Sequence, residues 1–137
     1  YLSGTWSSAR AGAMTDKYGR GRVLIAGAAL MLVGLLATMS AWLPGALIGL
    51  FLFTASFFAM HSTASSWIGL AATSHRAEVS SMYLFSYYAG SSLVGAATGV
   101  VFAWTSWSGF ILILAAILLG VVVTAAALAR AERHAPA

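Results

Sequence analysis

Four long apolar runs, separated by short polar segments, dominate the pattern of the chain. They cover residues 23–42, 46–72, 80–103 and 108–129, and none of them contains Asp, Glu, Lys or Arg. Because an α-helix rises about 1.5 Å per residue, about 20 residues cross a hydrocarbon core of about 30 Å. Each run is at least that long. The pattern therefore predicts an all-α membrane protein with four complete transmembrane helices.

The segments between the runs have the composition of turns and loops. Pro44 and Gly45 separate the first two runs, and the stretches "TSHRAE" and "WTSWSG" separate the others. Residues 1–9 are too short to span a bilayer, so we interpret them as the end of a fifth helix, followed by a charged loop at 10–22. The chain begins without Met and ends in a polar tail at 130–137. We interpret the whole chain as the C-terminal piece of a longer protein.

The composition agrees with a membrane protein and argues against most soluble functions. Hydrophobic residues make up 61% of the chain and charged residues 7%, with a mean hydropathy of +0.90. Ordinary soluble proteins have about 25% charged residues. The sequence contains no cysteine, no nucleotide-binding loop and no pattern of metal ligands or of a catalytic nucleophile with its base. We therefore expect no enzyme activity, no cofactor and no metal.

The positions of the basic residues predict how the helices are oriented. All seven Lys and Arg residues fall in segment 10–22, in loop 73–79 or in the tail, whereas turns 43–45 and 104–107 contain none. By the positive-inside rule, the basic segments and the C-terminus face the cytoplasm. The opposite ends carry the interfacial tryptophans Trp42, Trp104 and Trp107. Since this pattern accounts for the net charge of +4, we expect no nucleic-acid partner.

The charged loop carries a recognisable motif. Residues 12–22 read "GAMTDKYGRGR" and resemble the signature loop of major facilitator superfamily (MFS) transporters, a Gly followed after three residues by Asp-(Arg/Lys)-x-Gly-Arg. Gly21 departs from the usual basic residue, and Arg22 resumes the pattern. The stretch "SSMYLFSYYAGSSLVG" is similar to helix 11 of bacterial efflux-type members. The residues that match the motif are Gly12, Asp16, Lys17, Gly19 and Arg20.

The resemblance implies a position within the MFS fold. In the family, the loop occurs between helices 2 and 3 and again between helices 8 and 9. Four spans follow it here and the chain then ends, so the second copy fits. The four runs then correspond to helices 9 to 12, and residues 1–9 to the end of helix 8, within the C-terminal six-helix half.

The resemblance also implies a function and its partners. We expect a secondary active transporter that works by alternating access in the bacterial inner membrane. The expected activity is proton-coupled efflux of small organic molecules such as drugs or sugars. The partners are then the lipid bilayer, the N-terminal part of the same carrier, a small-molecule substrate and protons.

By the same resemblance, the charged loop latches the cytoplasmic face in one conformational state. Asp16 can accept hydrogen bonds from Arg20, and two glycines allow a tight turn. The alternative is that these residues only set the membrane topology. The predicted latch residues are Gly12, Asp16, Lys17, Gly19, Arg20 and Arg22, with Arg76 and Glu78 on the same side of the membrane.

Polar side chains are concentrated in the second and third spans, which predicts that these two face protein or a cavity and that the apolar first and fourth spans face lipid. The resemblance implies that the second and third spans line the substrate cavity. His61 lies near the middle of its span, where it binds substrate or carries a proton, or else is a neutral imidazole bonded to a neighbouring hydroxyl or carbonyl. No carboxylate lies inside any span, so a coupling carboxylate belongs to the missing part or His61 replaces it. The predicted cavity residues are His61, Ser65, Tyr83, Tyr87 and Ser91.

A stripe of small residues in the third span predicts close helix packing, with a hinge as the alternative. The stripe consists of Ser91, Gly95 and Gly99.

Two other functions compete with this interpretation. A small multidrug-type transporter of four helices predicts a membrane-embedded Glu, which is absent from the spans. A non-transporting four-span scaffold predicts no polar asymmetry between spans, whereas the asymmetry is present.

Overall fold

A computed structural model of the chain describes the backbone of residues 2–134 and the side chains of residues 4–127, 129 and 130. Within this part, the chain forms five α-helices and no strand. The all-α prediction is confirmed for the described residues. The helices are α1 (Leu2–Tyr18), α2 (Arg20–Ala37), α3 (Leu43–Ala71), α4 (Arg76–Trp104) and α5 (Trp107–His134).

The charged segment differs most from the prediction, because it is largely helical rather than a loop. Helix α1 continues to Tyr18, and α2 begins at Arg20. The break is a single residue, Gly19, whose φ of 84° costs glycine little because it has no Cβ. The Gly19 amide closes α1 by donating to the Thr15 carbonyl at 2.9 Å. The predicted loop at 10–22 is therefore a sharp junction between two helices.

The remaining boundaries shift by a few residues from those predicted. Helix α2 ends at Ala37, before the predicted end at residue 42. Pro44 lies in the first turn of α3, where its missing amide hydrogen leaves no helical bond unmade. Helix α4 begins at Arg76, four residues before the predicted start. The predicted tail is helical as far as His134, and residues 135–137 lie outside the described part.

Three of the helices combine the length and the hydropathy needed to cross a membrane: Arg20–Ala37, Leu43–Ala71 and Trp107–Ala127. Helix α4 is as long as α3, with 29 residues each. Its serines and tyrosines make it more polar, and it is not among the three. The structure thus supports three of the four predicted spans by composition and leaves α4 as the polar exception.

Close packing occurs where α2 crosses α3. A Cβ atom added to Gly34 would lie 2.6 Å from the Phe53 amide nitrogen and 2.8 Å from the Gly49 carbonyl oxygen. The two backbones therefore approach closely, as small residues permit in membrane helices. Beside this contact, α5 packs on α2 through an apolar core. That core consists of Leu35, Ile111, Ala115 and Leu118, with Met31, Leu32, Phe53, Phe110 and Leu114 packed against it.

Helix α4 is packed less extensively than α2 and α3. None of its residues is fully buried, and Phe85 is 75% exposed. A Cβ atom added to Gly95 or Gly99 would meet nothing within 4 Å among the described residues. The two glycines of the small-residue stripe therefore have no close packing partner within this part of the chain, and the role of the stripe stays a prediction.

Candidate functional site

The predicted cavity helices α3 and α4 meet through a group of aromatic rings. Phe57 and His61 lie one turn apart on α3, and Tyr83 and Tyr87 lie one turn apart on α4. The His61 ring centroid is 4.6 Å from that of Tyr87 and 5.6 Å from that of Tyr83. The Phe57 ring stacks on His61 at 5.9 Å, with 12° between the planes. We call these four residues the aromatic cluster.

A hydrogen bond joins the two helices within the aromatic cluster. The Tyr83 hydroxyl oxygen lies 2.9 Å from Nδ1 of His61 and 3.4 Å from the His61 carbonyl oxygen. Both side chains are half-buried. Nε2 of His61 has no hydrogen-bond partner in the described part of the chain. The imidazole is thus held at one nitrogen, as the alternative of an imidazole bonded to a neighbouring hydroxyl requires. Its second nitrogen is left for another partner.

The other two predicted cavity residues lie outside the aromatic cluster. Ser65 and Ser91 are exposed, and neither has a hydrogen bond within the described residues. Phe57, in contrast, belongs to the cluster but was not predicted. Its position four residues before His61 on one helix places it on the same face, and this spacing was the signal available in the sequence.

Helix α3 has a second polar face, which contacts the charged junction. A pocket of about 140 Å³ lies between the end of α1, the start of α2 and the C-terminal part of α3. It brings together three of the predicted latch residues with hydroxyl side chains of α3, which the sequence analysis did not place in a site. We call it the junction pocket, and its lining residues are Gly12, Thr15, Asp16, Arg20, Ser62, Thr63, Ser66 and Leu70.

The polar groups of the junction pocket are largely unpaired within the described residues. The hydrogen bond expected between Asp16 and Arg20 is not formed among the described residues, although both residues line the pocket. Thr63 is 4% exposed, and its hydroxyl has no hydrogen-bond partner in the part of the chain described. The Thr15 hydroxyl donates to the Ala11 carbonyl at 2.8 Å.

The remaining predicted latch residues lie outside this pocket. At the start of α4, the Arg76 Nε donates to the Ala72 carbonyl at 3.0 Å. Glu78 lies 3.3 Å from Nδ1 of His75, on the surface. Arg76 and Glu78 therefore make local contacts, and within the described residues they do not join the charged junction. Lys17, Gly19 and Arg22 also do not line the junction pocket.

The aromatic cluster is free of formal charge. Helix α3 contains no charged residue, and in α4 the charges are confined to the first turn. Among the described residues, no group of three His, Cys, Asp or Glu side chains is placed to hold a metal ion. The cluster can therefore offer hydrogen bonds, aromatic faces and one titratable imidazole.

Comparison with known proteins decides the family. The profile of the Major Facilitator Superfamily matches residues 2–137. The chain belongs to this superfamily. The family indicated by the loop motif is thus confirmed, and it is a family of multi-pass membrane transporters rather than of enzymes.

Curated MFS relatives are much longer than this chain. It is 38% identical over 118 residues to the uncharacterized MFS-type transporter YybF of Bacillus subtilis, covering 86% of this chain and 29% of the relative. It is 47% identical over 109 residues to the inner membrane transport protein YnfM of Escherichia coli, covering 80% of this chain and 26% of the relative. An uncharacterized transporter of Buchnera aphidicola from Schizaphis graminum is 40% identical over 124 residues, which is 87% of this chain and 30% of the relative. The chain thus spans less than a third of these proteins. No solved structure matches it significantly.

Proposed function

We propose that the chain is the C-terminal part of an MFS secondary transporter that works by alternating access. In this assignment α1 is the end of helix 8, and α2 to α5 are helices 9 to 12, all four of which cross the membrane. The family match over residues 2–137 and the signature motif at the α1–α2 junction support the assignment. The polar character of α4 supports an inner position, where a helix faces protein or a cavity rather than lipid.

The proposed orientation places the charged ends of the helices in the cytoplasm of a bacterium. The charged residues lie around the α1–α2 junction, at the start of α4 and near the end of α5. Because consecutive spanning helices alternate in direction, these three places lie on one side of the membrane. The C-terminus is then cytoplasmic, in agreement with the positive-inside rule.

The proposed activity is proton-coupled efflux of small organic molecules, drugs or sugars, through a cavity bordered by α3 and α4. The observation that carries the site is the imidazole of His61, bonded to α4 and surrounded by aromatic rings. An ionisable side chain in the middle of a membrane helix costs free energy, so its presence there indicates a function. Ser65 and Ser91 extend the polar surface along the same two helices.

The junction pocket supports the proposed role of the charged junction as a cytoplasmic latch. It places Asp16 and Arg20 against the hydroxyl side chains of α3. A movement of α3 during alternating access would therefore change the surroundings of both charges. In the alternative role, the charges set topology only, and their loss changes insertion rather than flux.

The activity is tested by measuring flux in proteoliposomes that contain the intact carrier. A pH gradient is imposed, and movement of ethidium, as an aromatic probe, and of a radiolabelled hexose is recorded. We expect flux of at least one probe to follow the gradient, and His61→Ala to alter its pH dependence or the choice of probe. Tyr88→Phe, next to the cluster but without contact to His61, serves as the control. Gradient-independent flux, or a His61→Ala carrier identical to the wild type, would contradict the proposal.

A further inference from the structure

The hydroxyl of Tyr83 faces two acceptors that belong to the same residue. Its oxygen is 2.9 Å from Nδ1 of His61 and 3.4 Å from the carbonyl oxygen of His61. A phenol carries one proton, so it donates to one acceptor at a time. The usual O–H···O distance is about 2.7–2.8 Å, so the 3.4 Å contact is the longer and weaker one. When Nδ1 carries no proton, the Tyr83 hydroxyl therefore donates to Nδ1 rather than to the carbonyl.

This arrangement favours one tautomer of neutral His61, in which the Tyr83 hydroxyl donates the shorter of its two hydrogen bonds. If Nδ1 accepts a hydrogen bond from Tyr83, then the ring proton lies on Nε2. Nε2–H is then a donor, and it has no protein partner among the described residues. In the alternative tautomer Nδ1–H would donate to the Tyr83 oxygen at 2.9 Å, and the Tyr83 hydroxyl would be left with the longer contact to the carbonyl at 3.4 Å.

The same three atoms can also serve the protonated imidazole. A proton that binds His61 attaches at Nδ1, whose lone pair forms the new N–H bond. The new Nδ1–H donates to the Tyr83 oxygen, and the Tyr83 hydroxyl turns to the His61 carbonyl. Nε2–H is unchanged and remains a donor, because both ring nitrogens carry a proton in the charged form.

Aromatic rings, and no anionic side chain, contact the imidazole of His61 in the described part of the chain. The rings of Phe57 and Tyr87 lie within about 6 Å of the imidazole, where aromatic faces attract cations. The titratable groups in contact with it are Tyr83 and Tyr87. None of the charged residues on the packed helices bonds to it within the described chain. The charged residues of the helices that pack against α3 are Arg10, Asp16 and Lys17 of α1, Arg20 and Arg22 of α2, and Arg76 and Glu78 of α4.

We propose that Tyr83 is the positioning residue of His61. Its hydroxyl fixes the neutral tautomer and holds the ring in both protonation states. Nε2–H therefore faces the substrate as a donor in both states. The inference rests on the proposed function for the existence of a substrate. It adds a substrate class, namely molecules that present an oxygen acceptor such as a carbonyl, ether or hydroxyl to this nitrogen. Tyr87 supplies a ring face only, because its hydroxyl makes no hydrogen bond to His61.

The test reads the tautomer directly and needs no substrate. The intact carrier is labelled with ¹⁵N-histidine, and the His61 signals are those lost in His61→Gln. We expect the neutral wild type to show a protonated Nε2 and a hydrogen-bonded, unprotonated Nδ1. Tyr83→Phe keeps the ring but loses the bond, worth about 0.5–1.5 kcal/mol, so the tautomer ratio changes by about 2- to 10-fold. Tyr87→Phe is the matched control and keeps the wild-type ratio.

The outcomes separate this inference from the proposed function. Nδ1–H in the wild type, or unchanged nitrogen signals in Tyr83→Phe, would overturn the role of Tyr83 even if flux is proton-coupled. If the tautomer behaves as expected but no carrier shows gradient-driven flux, the proposed function fails and the assignment of Tyr83 stands. Where flux is present, its pH profile is expected to shift in Tyr83→Phe and not in Tyr88→Phe.

Discussion

Helix α3 contacts α2 and α4, two of its neighbours, in different ways. Against α2, the backbones touch at Gly34 and Gly49, and no side chain separates them. Against α4, the contact is made by large rings and one interhelical hydrogen bond. The first contact leaves no room for movement, whereas the second can be rearranged by turning side chains. We infer that the α3–α4 contact is where the structure can respond to a proton or a solute.

The largest expected effect is at the close contact. Gly34→Ala places a methyl group 2.6 Å from a backbone nitrogen, which cannot move aside as a flexible side chain would. We expect the intact protein to lose at least about 1–3 kcal/mol, the usual cost of overpacking. Gly95→Ala is the matched control, because a Cβ there meets nothing within 4 Å among the described residues. Thermal unfolding in detergent measures the stability of both variants. Equal melting temperatures for Gly34→Ala and Gly95→Ala would contradict a close contact between the backbones of α2 and α3.

A smaller effect is expected from the charged junction. Asp16→Asn removes the negative charge that lines the junction pocket but keeps the side-chain shape. If the junction biases one conformational state, a coupling of about 1–3 kcal/mol changes flux by at least about fivefold. Flux in proteoliposomes measures the change, and the amount of carrier in the membrane fraction shows that insertion is intact. Normal flux, or a loss explained by failed insertion, would favour the topological role.

The smallest effect is expected at the buried hydroxyl of Thr63. Because this hydroxyl has no hydrogen-bond partner within the described chain, its burial costs free energy that Thr63→Val removes. We expect the variant to be more stable by about 1 kcal/mol. Thr15→Val is the control in the same pocket, and it is expected to be less stable because its hydroxyl bonds to Ala11. A lower melting temperature for Thr63→Val would show that the hydroxyl has a partner in the intact protein.

Hydrophobicity and charge predicted much of this architecture, because each apolar run must satisfy its backbone by forming a helix. The same reasoning misjudged segment 10–22. Charged residues there suggested a loop, but polarity does not prevent a helix, and only the conformation of Gly19 ends α1. Likewise, Pro44 indicated a turn, yet proline is well accommodated in the first turn of α3.

The sites were predicted less completely, because they depend on contacts between helices. Periodicity identified His61, Tyr83 and Tyr87 as polar or aromatic positions of two helices. It did not show that Tyr83 bonds to Nδ1, since this depends on the register of α4 against α3. The close contact of Gly34 with Gly49 has the same origin, because a glycine's spacing within one helix does not name its partner on another.

The proposed cavity requires that α4 borders an aqueous path for solutes while the apolar α5 faces lipid, and cysteine labelling tests this requirement most directly. The chain has no cysteine, so a single one can be placed at Ser91 of α4 or at Leu112 of α5, both exposed in the structure. In the intact carrier, freed of any other cysteine, a charged thiol reagent reacts only where water reaches. We predict rapid reaction of Ser91→Cys and none of Leu112→Cys. Equal reactivity, or reaction at Leu112→Cys alone, would contradict the account.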